Sequence, residues 1–125
     1  MNNVFLIFLG GGLGAVVRYF LSVFIPSRSS DFFPYATLCA NFFGCFIASF
    51  VFTYFITQSD VNPYYKNFLI VGFCGGLSTL SAMSLEIMEY IQSGEYIRAG
   101  GYILTSLLIC TISVILGVVL VKKYV

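Results

Sequence analysis

Gly72-Phe73-Cys74-Gly75-Gly76-Leu77-Ser78-Thr79 stands inside a long apolar run covering residues 67–91. The run is long enough to cross a bilayer, since about 20 helical residues span a hydrocarbon core of roughly 30 Å. Two adjacent glycines followed by Ser-Thr in such a run predict a third helix broken near mid-membrane. Lipid supplies no water for freed carbonyls, so a break needs a buried partner for them. Broken membrane helices use such carbonyls to coordinate cations, and half-helix N-termini to attract anions. A continuous helix with a glycine packing notch is the alternative.

Three further apolar runs, 4–24, 36–56 and 99–121, surround this one. Short polar breaks at 25–31, 57–63 and 92–95 separate them, each carrying Pro or Gly as helix ends require. The composition agrees. Of 125 residues, 59% are apolar and only 9% charged, against about 25% charged in an average soluble domain. The chain reads as an all-α integral membrane protein, one domain over 1–125 with four transmembrane helices. No basic segment precedes the first run, so a cleaved signal peptide is not expected.

Several function classes fall away. Six Lys and Arg against five Asp and Glu give a net charge of +1, which makes no case for nucleic acid. Histidine is absent, so imidazole catalysis and His metal ligation are excluded. No nucleophile–base pair is visible, and the chain is not expected to be an enzyme. Cys39, Cys45, Cys74 and Cys110 form no C-x-x-C pair and read as small apolar fillers. Gly10-Gly11-Gly12-Leu13-Gly14-Ala15, with Asp31 downstream, fits a dinucleotide fingerprint by spacing but lacks the required βαβ context. Within a membrane helix Gly10 and Gly14 read instead as G-x-x-x-G, which lets two backbones approach closely.

With four spans, Lys66, Lys122 and Lys123 share one side, while Arg28 and Arg98 lie on the other. Arg18 joins the second group if its side chain snorkels that way. Orientation follows the Lys/Arg excess, and here the excess is almost nil. Such a chain could insert both ways, and two opposed copies could then pair, although a poor bias also occurs by chance.

Polar residues in the spans fall into stripes. At ~100° per residue, Thr37, Asn41, Gly44 and Ala48 lie within roughly 60°, and Tyr102, Ser106, Cys110, Ser113 and Gly117 within roughly 80°. Tight packing explains the small residues but not Asn41, whose amide has more hydrogen-bonding groups than packing uses. Ser78, Ser81 and Ser84 add hydroxyls able to rotate toward a small anion. Glu86 is an acid inside a span, a functional candidate by default.

Three motifs together resemble the Fluc/CrcB family of fluoride channels. They are Gly11-Gly12-Leu13-Gly14-Ala15-Val16-Val17-Arg18-Tyr19, Thr37-Leu38-Cys39-Ala40-Asn41-Phe42-Phe43-Gly44, and the third-run motif extended through Leu80 and Ser81. The resemblance implies an antiparallel, dual-topology homodimer with two fluoride pores in a bacterial or archaeal plasma (inner) membrane. It also implies a central structural sodium held by the backbone carbonyls of Gly75 and Ser78. Asn41 matches the pore asparagine and Arg18 the vestibule arginine. Ser81, Ser84, Glu86, Tyr102 and Ser106 match the polar track. In the family a run resembling S-T-F-S-T-F-S carries two pore phenylalanines, and here Leu80 and Met83 replace both.

The expected function is passive export of cytoplasmic fluoride. The Leu80 and Met83 replacements leave open a non-conducting subunit that completes a dimer with a second family member. A small multidrug-type, proton-coupled exporter is the other alternative. It needs an intramembrane carboxylate that exchanges protons for cations, and Glu86 stands alone.

Overall fold

The computed structural model describes residues 2–25 and 33–125. Most of the first polar break, with Arg28 and Asp31, lies outside the described residues. Among the described residues, four helical runs are long and apolar enough to cross a membrane: Asn2–Phe24, Tyr35–Thr57, Pro63–Gln92 and Tyr96–Tyr124. Each contains its sequence-derived run and extends it by up to four residues per end, as helices do when capping rather than hydropathy sets the boundary. The chain is a multi-pass, all-helical membrane protein.

The first two runs are single helices, α1 (Asn2–Phe24) and α2 (Tyr35–Thr57). The third is composite. It opens with α3 (Pro63–Lys66), where the Asn62 side chain accepts a hydrogen bond from the Tyr64 N–H and Pro63 occupies the first turn. A π-helix, Asn67–Cys74, follows and leads into α4 (Gly75–Leu77). Ser78 and Thr79 are extended, at φ/ψ of −78°/145° and −151°/122°. Helix resumes as α5 (Leu80–Gln92), capped by the Thr79 hydroxyl, which accepts from the Ala82 N–H. Gly94, at φ 75°, turns the chain into α6 (Tyr96–Tyr124).

The glycines do not sit where a break needs them. Gly75 has ordinary helical dihedrals, φ −64° and ψ −34°. Gly72 and Gly76 pack on α1 instead. A Cβ on Gly72 would come within 2.9 Å of the Ile7 carbonyl oxygen. One on Gly76 would lie 3.0 Å from the Gly11 carbonyl carbon and nearer still to its oxygen. From the other side, a Cβ on Gly10 would meet the Phe73 nitrogen at 2.9 Å, and one on Gly14 the Leu77 nitrogen at 2.8 Å. The G-x-x-x-G pair thus works as close-packing surface, reciprocated by a second G-x-x-x-G, Gly72 and Gly76. That reciprocity replaces the sequence expectation that these glycines unwind the helix.

α2 and α6 form the other tight pair. A Cβ at Gly117 would meet the Phe46 carbonyl oxygen at 2.9 Å and the Phe50 nitrogen at 3.0 Å. Tyr102, Ser106, Ser113 and Gly117 are buried along this seam, with Thr37, Asn41 and Gly44 buried on α2. Both small-residue stripes are therefore packed faces. Outward, the single chain exposes many large apolar side chains, including Phe8, Leu13, Phe20, Leu104 and Leu108, as a lipid-facing or copy-facing surface must.

Candidate functional site

The site is built around the two extended residues. At the end of α4 the Ser78 N–H still donates to the Cys74 carbonyl at 2.9 Å, and the Ser78 hydroxyl donates to the same oxygen at 2.8 Å. The next N–H, of Thr79, leaves the helix and donates to Asn41 Oδ1 at 2.8 Å. A regular α-helix would have sent it to the Gly75 carbonyl, four residues back. The Ser78 carbonyl likewise loses its regular donor, since the Ala82 N–H turns to the Thr79 hydroxyl at 3.2 Å. Gly75 and Ser78 thus carry carbonyls deprived of their helical partners.

α2 receives this segment through two residues three apart. A Cβ on Gly44 would lie 2.9 Å from Ser78 Cβ, so only glycine admits Ser78 this close. Asn41, one turn earlier on the same face, takes the Thr79 N–H. Because that partner is a donor, the facing atom of Asn41 must be its carbonyl oxygen. The amide is oriented as a result, and its NH2 group has no hydrogen-bond partner among the described residues.

Asn41 lines a groove of about 460 Å³ together with Leu80, Met83 and Ser106. Asn41 is 7% exposed, Met83 8% and Ser106 2%. The Ser106 hydroxyl is buried beside the Tyr102 phenol, with no well-formed hydrogen bond among the described residues. Most of the remaining wall is apolar, supplied by Ile87, Ile103 and Leu107.

Glu86 lies elsewhere in the same helical layer. Thr37 donates to one of its carboxylate oxygens at 2.5 Å and Tyr102 to the other at 2.6 Å, so hydroxyls from α2 and α6 hold one acid on α5. A second pocket, about 300 Å³, brings Arg18 of α1 to the same carboxylate region, with Tyr19, Ser22, Thr37 and Ala82 around it.

The structure therefore gathers Asn41, Ser78, Leu80, Met83 and Ser106 at one groove, and Arg18, Glu86 and Tyr102 at the neighbouring acid. Ser81 and Ser84 line neither. They are exposed on α5, where Ser84 donates to the Leu80 carbonyl at 2.9 Å and Ser81 shares a hydrogen bond with Thr79 at 2.9 Å. Leu80, at 75% exposed, also points away from the chain's own core. Gly75 is on the surface as well. Sequence reasoning missed Thr37 and Thr79 as working residues. The available signal was chemical: an acid in one span and an interrupted backbone both need hydrogen-bond partners from neighbouring spans.

Among the described residues, no group of three or more His, Cys, Asp or Glu is arranged to hold a metal ion. A cation held by backbone carbonyls needs no such group.

Four helical runs long and apolar enough to cross a membrane, with Asn41 and Ser106 on the wall of a groove between them, define a small multi-pass membrane protein. A family model described as "CrcB-like protein, Camphor Resistance (CrcB)" matches residues 5–118, and the chain belongs to that family. It is 41% identical over 117 residues to a fluoride-specific ion channel FluC of Flavobacterium psychrophilum, covering 94% of this chain and 89% of the relative. A fluoride-specific ion channel FluC of Pyrococcus furiosus is 38% identical over 123 residues, 98% of each chain. One from Shewanella woodyi is 38% identical over 118 residues, 94% of each. These relatives are ion channels by name, and the chain is not an enzyme.

Proposed function

We propose that the chain is a fluoride channel that lets cytoplasmic fluoride leave passively across the plasma (inner) membrane of a bacterium or archaeon. The observation that carries this reading is the orientation of Asn41. With Oδ1 accepting from the Thr79 N–H, the NH2 group is the part of this groove-lining amide left to donate. Ser106, whose hydroxyl can rotate, lines the same groove. Fluoride is strongly hydrated, and a pore must replace that shell with hydrogen-bond donors while binding weakly enough to release the ion. The relatives named above supply the identity of the anion.

The working unit is an antiparallel, double-barrelled homodimer. Its support is the flat Lys/Arg distribution and the exposed Leu80, Ser81 and Ser84, which a second copy would cover. A sodium ion at the dimer centre would accept the Gly75 and Ser78 carbonyls, and the interruption at Ser78–Thr79 would then lie near mid-membrane. Arg18 sits at the vestibule, and Glu86 with Tyr102 continues the polar track.

A second reading, a subunit that conducts only beside another family member, is favoured by one observation. Leu80 and Met83 stand where the family pattern has two rings, whose positive edges can face an anion. Efflux from liposomes separates the two readings. Fluoride, but not chloride, should leave vesicles containing this chain alone. Release of fluoride only after a second family member is added would favour the partner-subunit reading. Release of both anions would defeat fluoride selectivity.

A further inference from the structure

A larger groove, about 700 Å³, opens at one end of the helices, between the start of α1 and the start of the third run. The two helices run the same way, since Gly10 meets Phe73 and Gly14 meets Leu77. The groove is therefore graded along its length. Asn2, the first residue of α1, and Asn62, the cap of α3, stand at its outer end with Tyr64 and Tyr65. Phe5 and Leu6 lie roughly 5–6 Å deeper at 1.5 Å per residue, and Phe68 and Leu69 lie at least as far into the third run. Asn62 is oriented as Asn41 is: Oδ1 accepts from the Tyr64 N–H at 3.0 Å, which leaves its NH2 group to donate. Because the spans alternate in direction, the same end of the protein carries the ends of α2 and α6. Its charged residues are Lys66, Lys122 and Lys123 against Asp60, whereas the opposite end sets Arg28 and Arg98 against Asp31, Glu89 and Glu95. Lys and Arg are shared almost evenly between the two ends, but the acids are not.

We propose that this groove holds one anionic glycerophospholipid, its phosphate at the Asn2 and Asn62 amides and one acyl chain against Phe5, Leu6, Phe68 and Leu69. The walls pass from amide and phenol to hydrocarbon in the direction a lipid does. Tyr64 and Tyr65 stand where tyrosines concentrate, at the headgroup level, with an apolar ring below and a hydroxyl above. The excess of lysine over acid at this end selects an anionic headgroup over a zwitterionic one. Lys66 follows Tyr65 directly, and its ammonium rests 5.2 Å from the centroid of the Phe52 ring. An exposed contact of that kind is weak enough to yield to a phosphate. Below the amides the surrounding solvent is acyl chain rather than water, so an apolar groove that opens outward fills with lipid. The proposal rests on the membrane-spanning fold and not on which ion the protein carries.

Full-length protein in a neutral maltoside detergent is offered equal amounts of dioleoyl phosphatidylglycerol and dioleoyl phosphatidylcholine, and native mass spectrometry counts the lipid each chain retains. One phosphatidylglycerol per chain is expected, preferred over phosphatidylcholine by about fivefold or more, the scale of one nearby cation. Leu6→Trp and Leu69→Trp fill the apolar part of the groove, and each should cut retention of both lipids about tenfold, the cost of a couple of displaced methylenes. Asn62→Asp keeps an oxygen for the Tyr64 N–H but sets a negative charge at the outer end, and should abolish the preference for phosphatidylglycerol. Leu104→Trp, on an exposed face of α6 outside the groove, should change nothing. Helical content, measured on every variant, separates lost binding from lost folding. Asn62→Asp, at an exposed position, carries the test if the Trp variants do not fold. Equal retention of the two lipids by wild type would overturn the site. So would undiminished retention in a folded Trp variant, or a preference that survives Asn62→Asp. A Leu6→Trp or Leu69→Trp protein that elutes as a smaller assembly would also overturn it, because a second copy of the chain would then be the occupant.

Discussion

Two contacts of the composite third run use the same small residues to opposite ends. Against α1, glycines on both partners bring backbone onto backbone, and Gly10, Gly14, Gly72 and Gly76 leave no room for even a methyl group. Against α2, Gly44 admits Ser78 just as closely, yet the neighbouring residues carry unspent polarity: the Asn41 NH2 group and two displaced carbonyls. The first contact is backbone packed on backbone. The second is close-packed but chemically unfinished. Glycine alone therefore does not announce a functional site in a membrane helix. What marks the site is a polar group whose hydrogen bonds remain incomplete after packing is satisfied.

The comparison is broken most severely at the first contact. Gly76→Ala forces a Cβ against the Gly11 backbone and should destabilise the protein by about 2–3 kcal/mol, the scale of overpacking. Gly75→Ala, one residue away, meets nothing closer than the Ile70 carbonyl oxygen at 3.9 Å and should leave the folded chain nearly unchanged. Melting curves in detergent would check both. Equal losses at the two positions would mean that the α1 contact is not where the glycines act.

A smaller loss is expected at the acid. Glu86→Gln replaces one carboxylate oxygen with an NH2 group that faces a hydroxyl donor, either Thr37 or Tyr102. One hydroxyl must then rotate or go unpaired, at about 1–3 kcal/mol if it stays buried. Thr37→Val in the Glu86→Gln background should add little when Thr37 is the displaced partner. A double-mutant cycle on melting temperature measures that coupling.

The smallest effect concerns the residues that depart from the family pattern. Leu80→Phe places a ring at a position exposed in the single chain, which the second copy would cover, and should raise fluoride flux by about twofold to fivefold if ring edges assist the anion. Met83→Phe enters a nearly filled space, so part of its gain should be offset by strain of about 1–3 kcal/mol. Liposome efflux at equal protein density would rank the two. A larger gain from Met83→Phe than from Leu80→Phe would show that the groove widens when loaded.

Much of this was legible in the residues themselves. Hydropathy gave four runs because lipid demands about 20 apolar helical residues, whatever packs against them. Both stripes appeared because α2 and α6 keep a regular helical period. The third run was harder, since a π-helix and two extended residues shift the angular period through 67–79, and side-chain stripes cannot be projected through them. Gly72, Gly75 and Gly76 look equivalent in sequence. Only α1, far away in the chain, distinguishes the packed pair from the exposed one. Asn41 stood out because an amide exceeds what packing needs. Its actual partner, the Thr79 N–H 38 residues on, is a backbone group that side-chain chemistry does not reveal.

Fluoride efflux through Asn41→Asp tests the central claim most directly. The aspartate keeps an oxygen for the Thr79 N–H, so the interruption and the packing on α2 should persist. It removes the only donors the amide presents to the groove and puts a negative charge in their place. Wild type reconstituted alone should drain fluoride from liposomes, while Asn41→Asp, with unchanged elution volume and melting temperature, should be nearly silent. Undiminished flux through a well-folded Asn41→Asp would contradict the account, because Asn41 would then serve only to hold the backbone.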